Sequence, residues 1–128
     1  MDNRKIQPTE AELEILNVLW EWGPSTVRTV HEQISKKKDV GYTTTLKIMQ
    51  NMAIKGVLQR DEDNRSHVYS TTLKKQETQK QLINRLLDTA FGGSAMQLVM
   101  QALGQHKSSK EELEEIKALI KKIEGGAR

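Results

Sequence analysis

The 128-residue sequence predicts a mostly α-helical protein with one small β-hairpin. Three observations lead to this fold class. Three short segments with helical spacing of apolar residues fill the first 55 positions. Two short segments of alternating character follow, separated by a polar turn. Helical patterns then occupy the chain from about residue 74 onward.

The first helix is predicted to begin at a capping box formed by Thr9 and Glu12, in which each side chain accepts from the other residue's backbone N–H. Gly23 and Pro24 end it, since neither continues a helix easily. Its apolar residues include Leu13, Leu16, Val18, Leu19 and Trp20. Trp20 and Trp22 are interpreted as packing in the core or at its edge.

A second helix is predicted from Ser25, a favourable N-cap residue. Val27, Val30 and Ile34 recur at helical spacing and give it one apolar stripe. The helix ends in the run 35–38, Ser-Lys-Lys-Lys, where cations suit the negative end of a helix dipole. A solvated helix end is the simplest interpretation of these lysines.

The third helix, between Val40 and Lys55, contains no acidic residue. Gly41 breaks the preceding pattern, and the hydroxyls that follow it can cap a helix start. Leu46, Met49 and Ala53 form the predicted apolar stripe. Off that stripe lie short polar, amide and cationic side chains, the types that bond base edges and phosphate oxygens: Thr43, Thr44, Lys47, Gln50 and Asn51. We therefore predict a recognition helix.

A hairpin directly after this helix is predicted from the strands Val57–Arg60 and Ser66–Ser70, with the turn Asp61–Asn64 between them. Such a hairpin is a wing, and its basic members Arg60 and Arg65 could reach the DNA backbone. Residues 1–72 are accordingly predicted to form a winged helix-turn-helix DNA-binding domain. Its predicted DNA contacts are Arg28, Tyr42, Thr43, Thr44, Thr45, Lys47, Gln50, Asn51, Arg60 and Arg65.

The charge distribution favours the same function. The formal net charge is +3, but from Trp22 to Arg60 seven cations stand against two acids. The preceding helix carries Glu10, Glu12, Glu14 and Glu21 and no cation. This asymmetry predicts a basic face presented to a polyanion.

Residues 73–128 are predicted to form a helical dimerisation domain. Their helices are broken at Gly92-Gly93 and reopened at Ser94 and Ser109. About fifty residues cannot bury these apolar stripes alone. The first domain or a second copy could cover them, and we favour a second copy, through Leu82, Leu86, Leu87, Phe91, Leu98, Val99, Leu103, Leu113, Ile116 and Ile120.

Several classes of function are not supported by the composition. The chain has no cysteine, which excludes disulfides, thiolate zinc sites and cysteine catalysis. His31, His67 and His106 lack metal-binding or catalytic spacing, and no phosphate-binding loop or nucleophile elbow occurs. We expect no enzyme, cofactor or metal. With no signal peptide and no membrane-spanning run, we expect a cytoplasmic protein.

The joint pattern resembles the penicillinase-repressor family (BlaI/MecI type). The residues that carry the resemblance are TEAELEILNVLW at 9–20, TVRTVHEQI at 26–34, GYTTTLKIMQNMAIKGVLQR at 41–60 and RSHVYS at 65–70. The resemblance implies a dimeric winged-helix repressor that binds a palindromic operator as double-stranded DNA. It places Thr43, Thr44 and Lys47 at the operator and the wing near the phosphates through Arg65 and His67.

One departure concerns induction. In the family members that control β-lactam resistance, a membrane sensor-peptidase system cuts an Asn-Phe bond. Alignment on Leu98-Val99 puts that bond at Gln101-Ala102, so the usual cleavage signal is missing. The resemblance thus implies a repressor with a possible sensor-peptidase partner, and leaves its inducer open.

Two alternatives remain open from the sequence. In the first, the winged helix docks a partner protein and its basic third helix is an incidental surface feature. In the second, a repressor responds to a metal held by histidines and carboxylates. Salt dependence distinguishes DNA binding from the first alternative, because complexes with many phosphate contacts weaken steeply as salt rises.

Overall fold

A computed structural model describes residues 7–63, 67–105 and 107–126. The chain divides into two compact units, Met1–Leu82 and Ile83–Arg128. The described elements follow in the order α1 (Glu10–Trp22), β1 (Ser25–Thr26), α2 (Val27–Ser35), α3 (Tyr42–Ile54), β2 (Leu58–Asp61), β3 (Val68–Thr71), α4 (Lys75–Ala90), α5 (Ala95–Gln105) and α6 (Lys110–Gly126).

The predicted limits of the first helix are confirmed within two residues. Thr9 Oγ1 accepts from the Glu12 backbone N–H at 3.2 Å, and the Thr9 N–H donates to Glu12 Oε1 at 2.9 Å, which completes the capping box. At the other end Gly23 adopts a positive φ of 80° while its N–H donates to Leu19 O at 2.8 Å. A glycine is well suited to that backbone conformation.

The start of the second helix differs from the prediction. Ser25 does not cap α2, because it lies in the two-residue strand β1, opposite Tyr69 of β3. Its hydroxyl donates back to Gly23 O at 2.8 Å. Thr26 is the N-cap instead, and its Oγ1 accepts from the Thr29 N–H at 3.2 Å.

The predicted wing is present and forms part of a three-stranded antiparallel sheet of order β1-β3-β2. Its hairpin pairs Leu58 with Thr71 and Arg60 with Tyr69. The strands therefore begin and end one or two residues later than the sequence predicts. Because β1 precedes α2, the sheet also ties the wing to the helices.

The core of the first unit lies among α1, α2, α3 and the sheet. Its buried residues are Ile15, Leu16, Leu19, Val27, Val30, Ile34, Met49, Met52, Val57, Leu58 and Tyr69. The buried face of α3 is centred on Thr45, Met49 and Met52, whereas the predicted stripe residues Leu46 and Ala53 are half-buried beside it. Packing against two helices and a strand covers more of α3 than one stripe.

The second unit contains the predicted helix break. Gly92 and Gly93 have φ values of 55° and 84°, and the Gly93 N–H donates to Leu87 O at 2.7 Å. Ser94 Oγ then accepts from the Gln97 N–H at 3.1 Å, and Ser109 Oγ from the Glu112 N–H at 2.9 Å. Each serine therefore caps the helix predicted for it. None of the helices in the described ranges combines the length and the apolar character that a membrane span requires.

Candidate nucleic-acid interface

One face of α3 is exposed, polar and free of acidic residues. Thr43, Thr44, Lys47, Gln50 and Asn51 are all exposed on it, as predicted from the sequence. The spacing of 47, 50, 51 and 54 is that of neighbours on one side of a helix, so Ile54 extends the same face. The Ile54 side chain is 83% exposed, which is unusual for an aliphatic residue in a packed domain.

The first turn of α3 is not capped by a hydroxyl, contrary to the sequence-based expectation. Gly41 is the N-cap residue and supplies no side-chain hydrogen bond. Tyr42, Thr43 and Thr44 lie inside the helix and point to solvent at its N-terminal end. The N–H groups of a first turn have no intrahelical acceptor and suit an anion.

Thr45 does not belong to this face. It was predicted as a DNA contact, but its side chain is 2% exposed and faces α2. Its hydroxyl oxygen lies 3.3 Å from His31 Nδ1 and donates to Gly41 O at 3.5 Å. The prediction is wrong for Thr45 because the helix turns this position toward the domain interior.

His31, which lacks metal-binding or catalytic spacing in the sequence, has a structural role in the domain. Its Nε2 lies 3.2 Å from Ser35 Oγ, and its ring meets that of Tyr42 edge to face at a centroid distance of 5.5 Å. The imidazole thereby joins α2 to the first turn of α3. Tyr42, a predicted DNA contact, is thus exposed to solvent on one side and contacts the His31 ring on the other. The pairing spans eleven residues between helices, so no local sequence spacing could have revealed it.

An open groove of about 800 Å³ runs between α3 and the wing. From α3 it is lined by Lys47, Gln50, Asn51, Ala53 and Ile54, and from the wing by Leu58, Gln59, Arg60 and Glu62. Three residues predicted as DNA contacts on the helix therefore lie in the same groove as Arg60. His67 is exposed just before β3, and Arg65 lies outside the described residues.

Arg60 is engaged within the wing itself. Its Nη2 and Nε donate to Glu62 Oε2 at 2.6 and 3.0 Å. The hydrogen bond between the two side chains raises the pKa of Arg60. The same hydrogen bond lowers the pKa of the Glu62 carboxyl. Both groups are consequently charged at neutral pH.

The basic region predicted from the sequence is partly neutralised by α1. Lys38 Nζ donates to Glu14 Oε2 at 3.2 Å, and Lys55 Nζ to Glu12 Oε2 at 2.6 Å. Within the described ranges Lys47 forms no ion pair, so it is a cation of the α3 face available to a ligand. Arg28 is exposed on the first turn of α2, outside the groove lining.

The residues predicted for dimerisation keep much of their surface in this single chain. Leu86, Val99, Leu103, Leu113 and Ile120 are exposed, while Leu82, Leu87, Phe91, Leu98 and Ile116 are half-buried. No described residue of α5 or α6 is buried. The stripes are therefore incompletely covered, and Met96 on α5 remains 71% exposed.

Comparison with known proteins identifies the family to which the sequence is similar. The penicillinase repressor family model matches residues 8–122. The methicillin resistance regulatory protein MecI of Staphylococcus aureus is 22% identical over 122 residues, covering 95% of this chain and 99% of that protein. The transcriptional regulator BlaI of Mycobacterium tuberculosis is 36% identical over 62 residues, covering 48% of this chain and 45% of BlaI.

A solved structure supports the fold independently. A transcriptional regulator from Thermotoga maritima matches with a TM-score of 0.51 at 20% identity, over 91% of this chain and 74% of that one. The three-helix arrangement with its wing is accordingly a winged helix-turn-helix. Since the family match extends over nearly the whole sequence, the chain belongs to the penicillinase repressor family, a family of DNA-binding transcriptional repressors.

Proposed function

We propose that the protein represses transcription as a homodimer that binds a palindromic operator in a sequence-specific manner. The observation that carries the proposal is the exposed, acid-free face of α3, where Thr43, Thr44, Lys47, Gln50 and Asn51 are all available. Amide and hydroxyl groups read base edges in the major groove, and a lysine contacts guanine or phosphate. The adjoining groove brings Arg60 to the flank of the same face.

The dimer is supported by the apolar surface of the second unit. Leucine, isoleucine, valine and methionine side chains remain exposed along α5 and α6, and Ile120 and Ile123 are at least half exposed. Single exposed apolar residues are ordinary, but repeated ones on neighbouring helices mark an interface. A twofold axis would present two α3 helices to two half-sites, which is the geometry that a palindrome requires.

We do not expect induction by cleavage at the family's usual Asn-Phe bond, since Gln101-Ala102 stands at that position. Gln101 and Ala102 lie within α5, and both are exposed. Gln101 keeps a carboxamide and is one methylene longer than asparagine, but Ala102 lacks the aromatic ring of phenylalanine. A sensor-peptidase partner, if one acts on this protein, would have to recognise a different bond.

A titration of fluorescent duplexes tests the function. The duplex from upstream of the protein's own gene is compared with a shuffled duplex of the same composition, at two salt concentrations. We expect the upstream duplex to bind at least a hundredfold more tightly, and both affinities to fall as salt rises. Equal, weak and salt-insensitive binding of both duplexes would contradict operator recognition and favour a winged helix that docks a protein through Ile54 and its neighbours.

A further inference from the structure

The wing places a carboxylate in direct competition with DNA for its own arginine. Glu62 Oε2 accepts two N–H groups of Arg60, at 2.6 and 3.0 Å. Those are donors that a guanidinium would otherwise offer to a phosphate. Both side chains line the groove beside Lys47 and Gln50, so the competition takes place at the edge of the α3 face.

The surroundings of Glu62 strengthen this effect. Asp61, Glu62 and Asp63 are consecutive and exposed, and they directly follow Arg60 in the wing. Asp61 Oδ1 accepts from the Asp63 backbone N–H at 2.9 Å, which orders the turn. A phosphate that approaches this part of the wing meets like charges before it meets a free guanidinium, and this repulsion opposes its binding.

We propose that Glu62 limits the affinity for operator DNA by holding Arg60 until an operator phosphate replaces the carboxylate. The proposal rests on the function proposed above and assigns it a residue that lowers operator affinity. On operator DNA, base contacts from α3 fix the register and hold one phosphate in the groove, where it can displace Glu62. On other DNA the backbone is not held there, and Arg60 stays paired. The ion pair is therefore broken only when the operator binds, so Glu62 weakens binding to the operator more than binding to non-operator DNA.

The test compares Glu62→Gln with Asp63→Asn. Both substitutions remove one negative charge from the exposed wing turn, but Glu62 is the residue that pairs with Arg60. Each variant is titrated against the upstream and the shuffled duplex at two salt concentrations, and thermal unfolding checks that each is folded. Arg60→Ala and the double variant Arg60→Ala/Glu62→Gln complete a cycle that isolates the pair.

We expect Glu62→Gln to tighten binding to the upstream duplex by about 2- to 5-fold, because operator binding no longer has to break one exposed ion pair. Binding to the shuffled duplex should change less, so the ratio of the two affinities rises. Asp63→Asn should shift both duplexes by one small, equal factor, and the effect of Glu62→Gln should vanish when residue 60 is alanine.

Three results would overturn the proposal. Equal effects of Glu62→Gln and Asp63→Asn would mean that net charge alone acts. Weaker binding of Glu62→Gln to both duplexes would mean that the carboxylate positions Arg60 for DNA. An effect that survives in the Arg60→Ala background would exclude the pair as its cause. Failure of the proposed function is recognised separately, because the wild-type protein would then not distinguish the two duplexes.

Discussion

Lys55 Nζ donates to Glu12 Oε2 at 2.6 Å and thereby joins the C-terminal end of α3 to the first turn of α1. The other oxygen of Glu12 accepts the Thr9 N–H and closes the capping box. One carboxylate therefore completes the start of one helix and anchors the end of another. Since α3 is the proposed recognition helix, this ion pair adds a tie between the end of that helix and α1.

Glu12→Gln should destabilise the protein by about 1 kcal/mol, because glutamine keeps the capping box but loses the ion pair with Lys55. Glu12→Ala removes both interactions and should cost about 2 kcal/mol. Urea unfolding followed by circular dichroism measures both. Glu10→Gln, at an exposed position on the same turn, is the matched control and should change stability little. Equal stability of all three variants would contradict the anchoring role.

The same carboxylate predicts a pH dependence. Burial acts to raise the pKa of Glu12, but the hydrogen bond from Lys55 and those with Thr9 outweigh it and lower the pKa below its ordinary value of 4.5. A lowered pKa stabilises the fold above the unfolded value and loses that contribution as pH falls through the folded value. The stability gap between wild type and Glu12→Gln should therefore be complete at neutral pH and shrink below pH 4.5. A gap independent of pH would contradict the assignment.

Features that depend on neighbours in the chain could be predicted from the sequence. The caps at Thr9, Ser94 and Ser109 each need a residue three positions later, and the break at Gly92-Gly93 needs only the two glycines. Helical periodicity likewise predicts the polar face of α3. These elements form where the pattern places them because their determinants are local.

Features that depend on residues far apart in the chain could not be predicted from the sequence. Strand β1 exists because Ser25 and Thr26 pair with a strand more than forty positions later. The sequence places Thr45 among the hydroxyl residues of the exposed face, but the packing of α2 against α3 buries it. The basic character of residues 22–60 was overestimated for the same reason, since acids of the first helix fold back onto Lys38 and Lys55.

Thr45→Val tests the correction to the interface. Valine keeps the shape but removes the hydroxyl that lies between His31 Nδ1 and Gly41 O. We expect a loss of about 1 kcal/mol in the free energy of unfolding, because a buried polar partner is left without its bond. The affinity for the upstream duplex should change little. A clear loss of that affinity with unaltered stability would return Thr45 to the DNA-contacting face.

Trp20 offers a second test of the fold. Its indole N–H donates to Leu73 O at 3.0 Å, which fastens α1 to the segment that leaves the wing. Trp20→Phe keeps an aromatic ring but removes the donor, and should cost about 1–2 kcal/mol. Trp22→Phe is the control, since Trp22 is 55% exposed and should tolerate the change within about 0.5 kcal/mol. Equal losses would mean that ring size matters and the hydrogen bond does not.

The apolar stripes of the second unit predict the oligomeric state. Leu86→Glu and Ile116→Glu place a charge on surfaces that we propose to be covered by a second copy, so each should shift the protein from dimer to monomer in light scattering. Operator affinity should fall with it, because two half-sites can no longer be bound together. Asp88→Lys changes charge at an exposed position of the same helix as Leu86 and should leave the dimer intact. Leu86→Glu and Ile116→Glu variants that stay dimeric would reject these stripes as the interface.

Thr44→Ala and Lys47→Ala distinguish base reading from phosphate binding on the α3 face. Each should weaken operator binding by about 1–3 kcal/mol if its side chain contacts a base. A phosphate contact by Lys47 would instead weaken operator and shuffled duplexes alike and lower the salt slope by about one. Lys121→Ala, an exposed lysine of α6, is the matched control for charge. Because Lys47 is the α3 cation without an ion pair in the described residues, the loss of affinity for the upstream duplex should be larger for Lys47→Ala than for Lys121→Ala. Equal, negligible losses at 44 and 47 would show that DNA binds another face.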